Sequence, residues 1–143
     1  MKCYHVGYYI KKISNNFENS KRSNCEKYDI TSQQTSILLY LFNHLDEKVN
    51  QKTLEHYYEI SSATISGIIT RMEAKNLIAR IPNPDDKRDK LITLSVKGEE
   101  TANAIKKSIL DLEAKIVKGF EDNEIKTLLS FLERMSMNIK EEK

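Results

Sequence analysis

The sequence has no tryptophan and is sparing in three structural residues, with four glycines, two prolines and two cysteines among 143 positions. Cys3 and Cys25 stand far apart, without C-x-x-C or metal-ligand spacing, which excludes a disulfide framework and suits a reducing compartment. No glycine-rich phosphate loop, nucleophile elbow or H-E-x-x-H motif is present, so the chain is read as a non-enzyme with no cofactor and no metal expected. Long apolar runs are also missing: nothing approaches the roughly 18 residues of a membrane span. The Tyr8-Tyr9-Ile10 stretch is soon interrupted by Lys11, Lys12 and Asn15, which argues against a signal peptide. A cytoplasmic protein without a membrane partner is the expectation. A dominant charge is lacking too, because 23 Lys+Arg against 21 Asp+Glu leaves a net charge of +2. Bulk charge therefore gives little support for a polyanionic partner, and any basic surface must be local.

What is present is a helical pattern for one domain spanning residues 1–143. Val6, Tyr9, Ile10, Ile13 and Phe17 recur at helical spacing and predict a first amphipathic helix that loses its pattern near Ser20 to Asn24. Thr31 and Gln34 have the spacing of a capping box and open a second helix with Ile37, Leu38, Leu41, Phe42 and Leu45 as its stripe. That helix is expected to end near His44 to Glu47, and Val49 to start a short edge strand. A third helix over Asn50 to Tyr58, with Leu54 and Tyr57 inward, is broken at Ile60-Ser61-Ser62. Ser61 caps a fourth helix whose inward residues are Ile65, Ile68, Ile69 and Met72, and which stops at Asn76. Two strands, 77–81 and 90–94, follow with residues 82–89 between them as a long hairpin loop. Ser95 caps a long fifth helix that ends at Gly119. Asp122 caps a sixth helix carrying Ile125, Leu128, Leu129, Leu132, Met135 and Ile139 on one side. The fold class is mainly α with a small β-hairpin.

Two short helices, a tight break, a further helix and an immediate hairpin is the order of a winged helix-turn-helix, here residues 31–94 with the wing at 78–94. Its partner is double-stranded DNA, and the fourth helix is expected in the major groove. Ser61, Ser62, Thr64, Ser66, Gly67, Thr70 and Arg71, with Lys75, fall on the arc opposite the apolar one. Small hydroxyl residues at a helix N-terminus suit phosphates or base edges, and Arg71 suits a guanine or a phosphate. In the wing, Lys87, Arg88 and Lys90 stand among Asp85, Asp86 and Asp89, a poor mixture for simple phosphate attraction. Asp86 makes better sense as an anchor, bonding loop amides or the guanidinium and holding Arg88 at the tip toward a narrow minor groove.

The element order, Thr31-x-x-Gln34, Ile60-Ser61-Ser62-Ala63-Thr64-Ile65-Ser66 and Asn83-Pro84-Asp85-Asp86-Lys87-Arg88 resemble the MarR transcriptional regulators over nearly the whole chain. The wing is the most specific part, with Asp86-Lys87-Arg88 followed by Leu91-x-x-Leu94-Ser95-x-x-Gly98. The resemblance implies that Asp86 orients Arg88 into the minor groove. It also implies a homodimer held by terminal helices, residues 1–28 and 95–141, whose apolar stripes a monomer of this size would struggle to cover. Such a dimer reads a pseudopalindrome with half-sites roughly 10 base pairs apart. A repressor released by a small phenolic or anionic effector follows from the same resemblance, with Tyr8, Tyr9, Ile13, Tyr40 and His44 as crevice candidates. The thiol of peroxide-sensing relatives aligns nearest to Gly7 here, which disfavours redox sensing. Two other readings compete: a winged-helix module for protein assembly, and a metal-responsive regulator using His5, His44 or Cys3.

Overall fold

The computed structural model describes residues 4–140, and Cys3 lies outside them. Among the described residues there are six helices and one two-stranded antiparallel sheet: α1 (Val6–Tyr28), α2 (Ser32–Asn43), α3 (Gln51–Tyr58), α4 (Ser62–Ala74), β1 (Ile78–Asn83), β2 (Asp86–Leu94), α5 (Val96–Ile116) and α6 (Asp122–Lys140). The fold is mainly helical with a hairpin wing. The chain divides into two compact units, Met1–Ile109 and Leu110–Lys143, with α5 running across the division.

In the first unit, local chemistry sets the helix boundaries. Thr31 Oγ1 accepts from the Gln34 amide at 3.1 Å while Gln34 Oε1 accepts from the Thr31 amide at 3.1 Å, so both halves of the capping box form. Ser61 Oγ accepts from the Thr64 amide at 3.3 Å and starts α4. After α4 the chain turns through Asn76 at φ 55°, a left-handed conformation that asparagine tolerates. Leu38, Leu54, Ile65, Ile69, Met72 and Ile105 are buried together in the core. α1 continues past the loss of its apolar pattern to Tyr28, ending where Asp29 turns left-handed.

Several sequence expectations need correction. Tyr57 is 61% exposed and it is Tyr58 that packs partly on the core, because an eight-residue helix buries the face of Leu54 and no more. α2 stops at Asn43, leaving Leu45 exposed. The Val49 strand reduces to a single antiparallel bridge between Asn50 and Leu91, with Val49 O accepting from the Ile92 amide at 2.7 Å. The long hairpin loop is mostly strand. Pro82 is paired with Lys90 and Asn83 with Asp86, so the turn is only Pro84-Asp85. A two-stranded sheet has no central strand, and Pro82 breaks no interior ladder.

In the second unit, α5 ends at Ile116, three residues before the Gly119 expected to stop it, and the turn that follows passes through Gly119 at φ 88°, where a side chain would be strained. α6 starts at Asp122, but the closing bond belongs to Glu124, whose Oε2 accepts from the Glu121 amide at 2.8 Å. No residue of α6 is buried, and Leu129, Phe131, Leu132, Met137 and Ile139 are exposed.

Candidate nucleic-acid interface

The candidate surface begins with α4, which buries Ile65, Ile68, Ile69 and Met72 and turns its other arc outward. Ser61, Ser62, Thr64, Thr70 and Arg71 are exposed, while Ser66 and Gly67 are half-buried. Several of these hydroxyls already have partners within the protein. Ser61 Oγ lies 2.9 Å from Thr64 Oγ1, Ser62 Oγ accepts from Gln51 Nε2 at 3.2 Å, and Thr70 Oγ1 donates to the Ser66 carbonyl at 2.9 Å. Thr70 Oγ1 also accepts from Arg80 Nη2 at 3.2 Å, and Arg80 Nε sits 3.2 Å from Glu73 Oε2. Arg80 thus ties β1 to α4. Lys75, on the same sequence arc, is committed to Asp29, whose carboxylate it meets at 3.2 Å.

Gly67 has a specific consequence for Arg71. A Cβ at Gly67 would stand 3.4 Å from Arg71 Nη1, so the guanidinium folds back over the glycine along the helix surface. That separation is ordinary contact with the end of a flexible side chain. A helix-interior glycine costs about 0.5–1 kcal/mol relative to alanine. Gly67→Ala is therefore expected to raise unfolding stability in urea by about 0.5–1 kcal/mol, with Arg71 left in place over the new methyl group. A loss of stability would show that Arg71 is held rigidly there.

The wing is irregular next to its turn. Pairing jumps from Asn83↔Asp86 to Pro82↔Lys90, which leaves Lys87, Arg88 and Asp89 as extra residues on β2. Arg88 is consequently on this bulge, past the turn, and is not the hairpin tip. Bulges re-aim side chains at sheet ends. Lys87, Arg88 and Lys90 are exposed. Of the two anchoring modes open to Asp86, the amide one forms: Asp86 Oδ1 accepts from the Arg88 backbone N–H at 2.9 Å.

The base of the bulge is bound to α3 by residues that pattern reading did not single out. Asp89 Oδ2 accepts from Asn50 Nδ2 and from Asn83 Nδ2, each at 2.9 Å. Asn50 Oδ1 meanwhile accepts from the Thr53 amide at 2.9 Å, capping α3. Lys48 also pairs with Asp85. The hydrogen bonds from Asn50 and then Asn83 hold the Asp89 carboxyl below the usual carboxylate range. A depressed folded pKa means that this contribution is present above the ordinary carboxylate value and is lost as pH falls through the folded one. Gln51, next to Asn50, donates to Glu55 Oε1 at 2.8 Å as well as to Ser62. Hydrogen bonds to the Glu55 carboxylate, from the Gln51 side chain first and the Ser62 side chain second, likewise hold Glu55 below its ordinary value.

Of the crevice candidates, Tyr8 and Tyr9 meet edge to face on α1, and Ile13 is exposed there. On the first unit's other aromatic cluster, Tyr40 stacks on His44 with ring centroids 4.1 Å apart and also meets Tyr57 at 4.5 Å. Burial raises Tyr40 above its ordinary value and pushes Tyr58 up to about 12, so neither supplies an anion at neutral pH. A cavity of about 490 Å³ is lined by Phe42, Val96, Glu99, Glu100 and Asn103. A smaller one of about 100 Å³ includes His44, Glu47 and Glu99. Among the described residues no group of three or more His, Cys, Asp or Glu could hold a metal, and no helix is long and apolar enough to cross a membrane.

A helix, a three-residue break, an outward-facing second helix and a hairpin bonded back to both define a winged helix-turn-helix. Residues 30–90 match the MarR family. The HTH-type transcriptional regulator BilQ of Clostridioides difficile (strain CD3) is 28% identical over 127 residues, covering 89% of this chain and 84% of that protein. The crystal structure of the S. aureus MepR-DNA complex superposes with a TM-score of 0.82 at 24% identity, over 94% of this chain and 99% of the MepR chain. The transcription regulator MarR from Oenococcus oeni PSU-1 superposes at 0.63 with 28% identity, over 92% of this chain and 98% of its own. Residues 30–90 thus carry a MarR-family domain, and over most of its length the chain is similar to HTH-type transcriptional regulators.

Proposed function

We propose that the protein is a homodimeric, sequence-specific DNA-binding repressor that reads a pseudopalindromic operator and is released by a small-molecule effector. One observation carries the reading: an α4 with an exposed, small and polar N-terminal half accompanies a wing whose bulge frees Lys87 and Arg88 from strand pairing. In this reading Ser61, Ser62, Thr64, Ser66, Gly67, Thr70 and Arg71 face the major groove. Hydroxyls with partners inside the protein set the helix position, and Arg71 supplies the longest reach. Arg88 enters the minor groove with its backbone held by Asp86, and Lys87 and Lys90 meet phosphates.

The dimer is supported by the terminal helices. α1 has no buried residue, and Val6, Tyr8, Tyr9, Ile10 and Ile13 are exposed along it. The same is true of α6. Exposed apolar stripes of this kind mark association surfaces. For the effector, the cavity beside Phe42 is the candidate crevice. Its Glu99 and Glu100 carboxylates suit a cationic or neutral aromatic better than the anion implied by the resemblance.

Selection of duplexes from a random-sequence library by the wild-type protein, with light scattering in parallel, tests the reading. A bound set with twofold symmetry and a dimer mass are expected. A monomer at micromolar concentration, or no selected duplex, would overturn it and leave the protein-assembly use of the fold as the better account.

A further inference from the structure

The Asp89 carboxylate carries one full charge on the element proposed to face a polyanion, and it stands next to Arg88 in sequence. Simple electrostatics makes it a liability for DNA binding. Its hydrogen bonds give it a different use. Asn50 divides its amide between two tasks: Oδ1 caps α3 and Nδ2 reaches 39 residues along the chain to Asp89. Asn83 Nδ2 completes the grip from the opposite strand. One residue on, Gln51 Nε2 bonds the Ser62 hydroxyl at the start of α4. Two adjacent residues at the start of α3, Asn50 and Gln51, are therefore bonded on one side to the bulge bearing Arg88 and on the other to the N-terminus of α4.

We infer that Asn50 and Asp89 are positioning residues for DNA recognition, forming a clamp that fixes the Arg88 bulge against the first turn of α3 and so sets its place relative to α4. The inference rests on the DNA-binding reading above. Neither residue needs to touch DNA. The clamp acts by restricting the bulge, because an arginine that must enter a narrow groove loses binding when its supporting contacts are loose. Asp86 alone leaves this undone, since its bond to the Arg88 amide is internal to the wing and does not tie the wing to the body.

The two effects of Asp89 have opposite signs, which makes the test decisive. Asp89→Ala removes a negative charge, so electrostatics alone predicts tighter binding to DNA. Under the clamp it weakens binding about tenfold at fixed salt. Asn50→Asp keeps the acceptor that caps α3, since Asp and Asn cap equally well. It sets a carboxylate against Asp89, and weakening of similar size is expected. The double exchange Asn50→Asp with Asp89→Asn restores an amide and a carboxylate in reversed order at unchanged net charge. It is expected to return affinity to within about twofold of wild type, as coupled partners do.

Affinities are measured by fluorescence anisotropy on a duplex that the wild-type protein selects, with amide hydrogen exchange of residues 86–90 followed on the free proteins. Faster exchange is expected in both single variants and restored protection in the double. Tight wild-type binding that Asp89→Ala leaves unchanged or improves overturns the clamp alone. So does a double variant no better than Asn50→Asp, or exchange that no variant alters. A wild-type protein that selects no duplex overturns the DNA-binding reading, and this role with it.

Discussion

Gly98→Ala is expected to lower unfolding stability by about 2 kcal/mol or more, the largest effect of an added methyl group among the chain's four glycines. A Cβ at Gly98 would lie 1.9 Å from the Leu77 carbonyl oxygen and 2.9 Å from its carbon, so the obstacle is backbone. Yielding is difficult because the Leu77 carbonyl accepts from the Ser95 amide at 3.0 Å. Ser95 Oγ in turn donates to the Asn76 carbonyl at 2.6 Å and accepts from the Gly98 amide at 2.9 Å. Moving α5 away from Leu77 would break the cap that starts α5 and loosen the base of β1. Overpacking of this kind costs about 3 kcal/mol, against a gain of about 1 kcal/mol in helix propensity, so the clash wins. Urea unfolding beside Gly7→Ala makes the comparison, since nothing lies within 4 Å of a Cβ at Gly7. A Gly98→Ala protein as stable as wild type would mean that α5 and Leu77 separate freely.

Arg88→Ala is expected to weaken duplex binding by about 1–3 kcal/mol, and Lys87→Ala by less. Both residues are exposed on the same bulge and each carries one positive charge, so simple attraction would rank them equally. The difference lies in the backbone beneath them. The Arg88 amide is fixed by Asp86 at 2.9 Å, and the next residue is gripped by Asn50 and Asn83. A side chain on a restrained backbone loses less freedom on insertion than one on a loose loop. Lys87→Ala should instead reduce the salt slope by about one, as loss of a phosphate contact does. Anisotropy titrations at several salt concentrations separate the two. Equal losses for both variants would reduce the wing to a basic patch.

Helix boundaries were legible in the residues because their causes are local. The bonds of Thr31 with Gln34 and of Ser61 with Thr64 span three residues, and the Ile65, Ile68, Ile69 and Met72 stripe repeats within one helix. The wing's span of 78–94 agrees with the sequence pattern, whereas its strands run further toward the turn than local preference implies. Proline and aspartate are turn formers in isolation, yet here Pro82 and Asp86 sit in paired strands. Cross-strand pairing outweighed local preference. Asp86 was recognised because its partner amide is two residues away.

Taken alone, the sequence determined the order of helices and hairpin, the caps, the buried stripes and the motif that marks the wing. It also marked Gly98, although not the carbonyl that makes a glycine necessary there. Tertiary structure alone decided where Arg88 stands, on a bulge and not at a tip, and which acids hold the wing to the body. Asp89 finds Asn50 across 39 residues and Arg80 finds Thr70 from another element, and neither pairing leaves a period or a spacing to read. Local rules act through neighbours three or four residues apart, whereas these contacts exist only once the core has brought distant segments together.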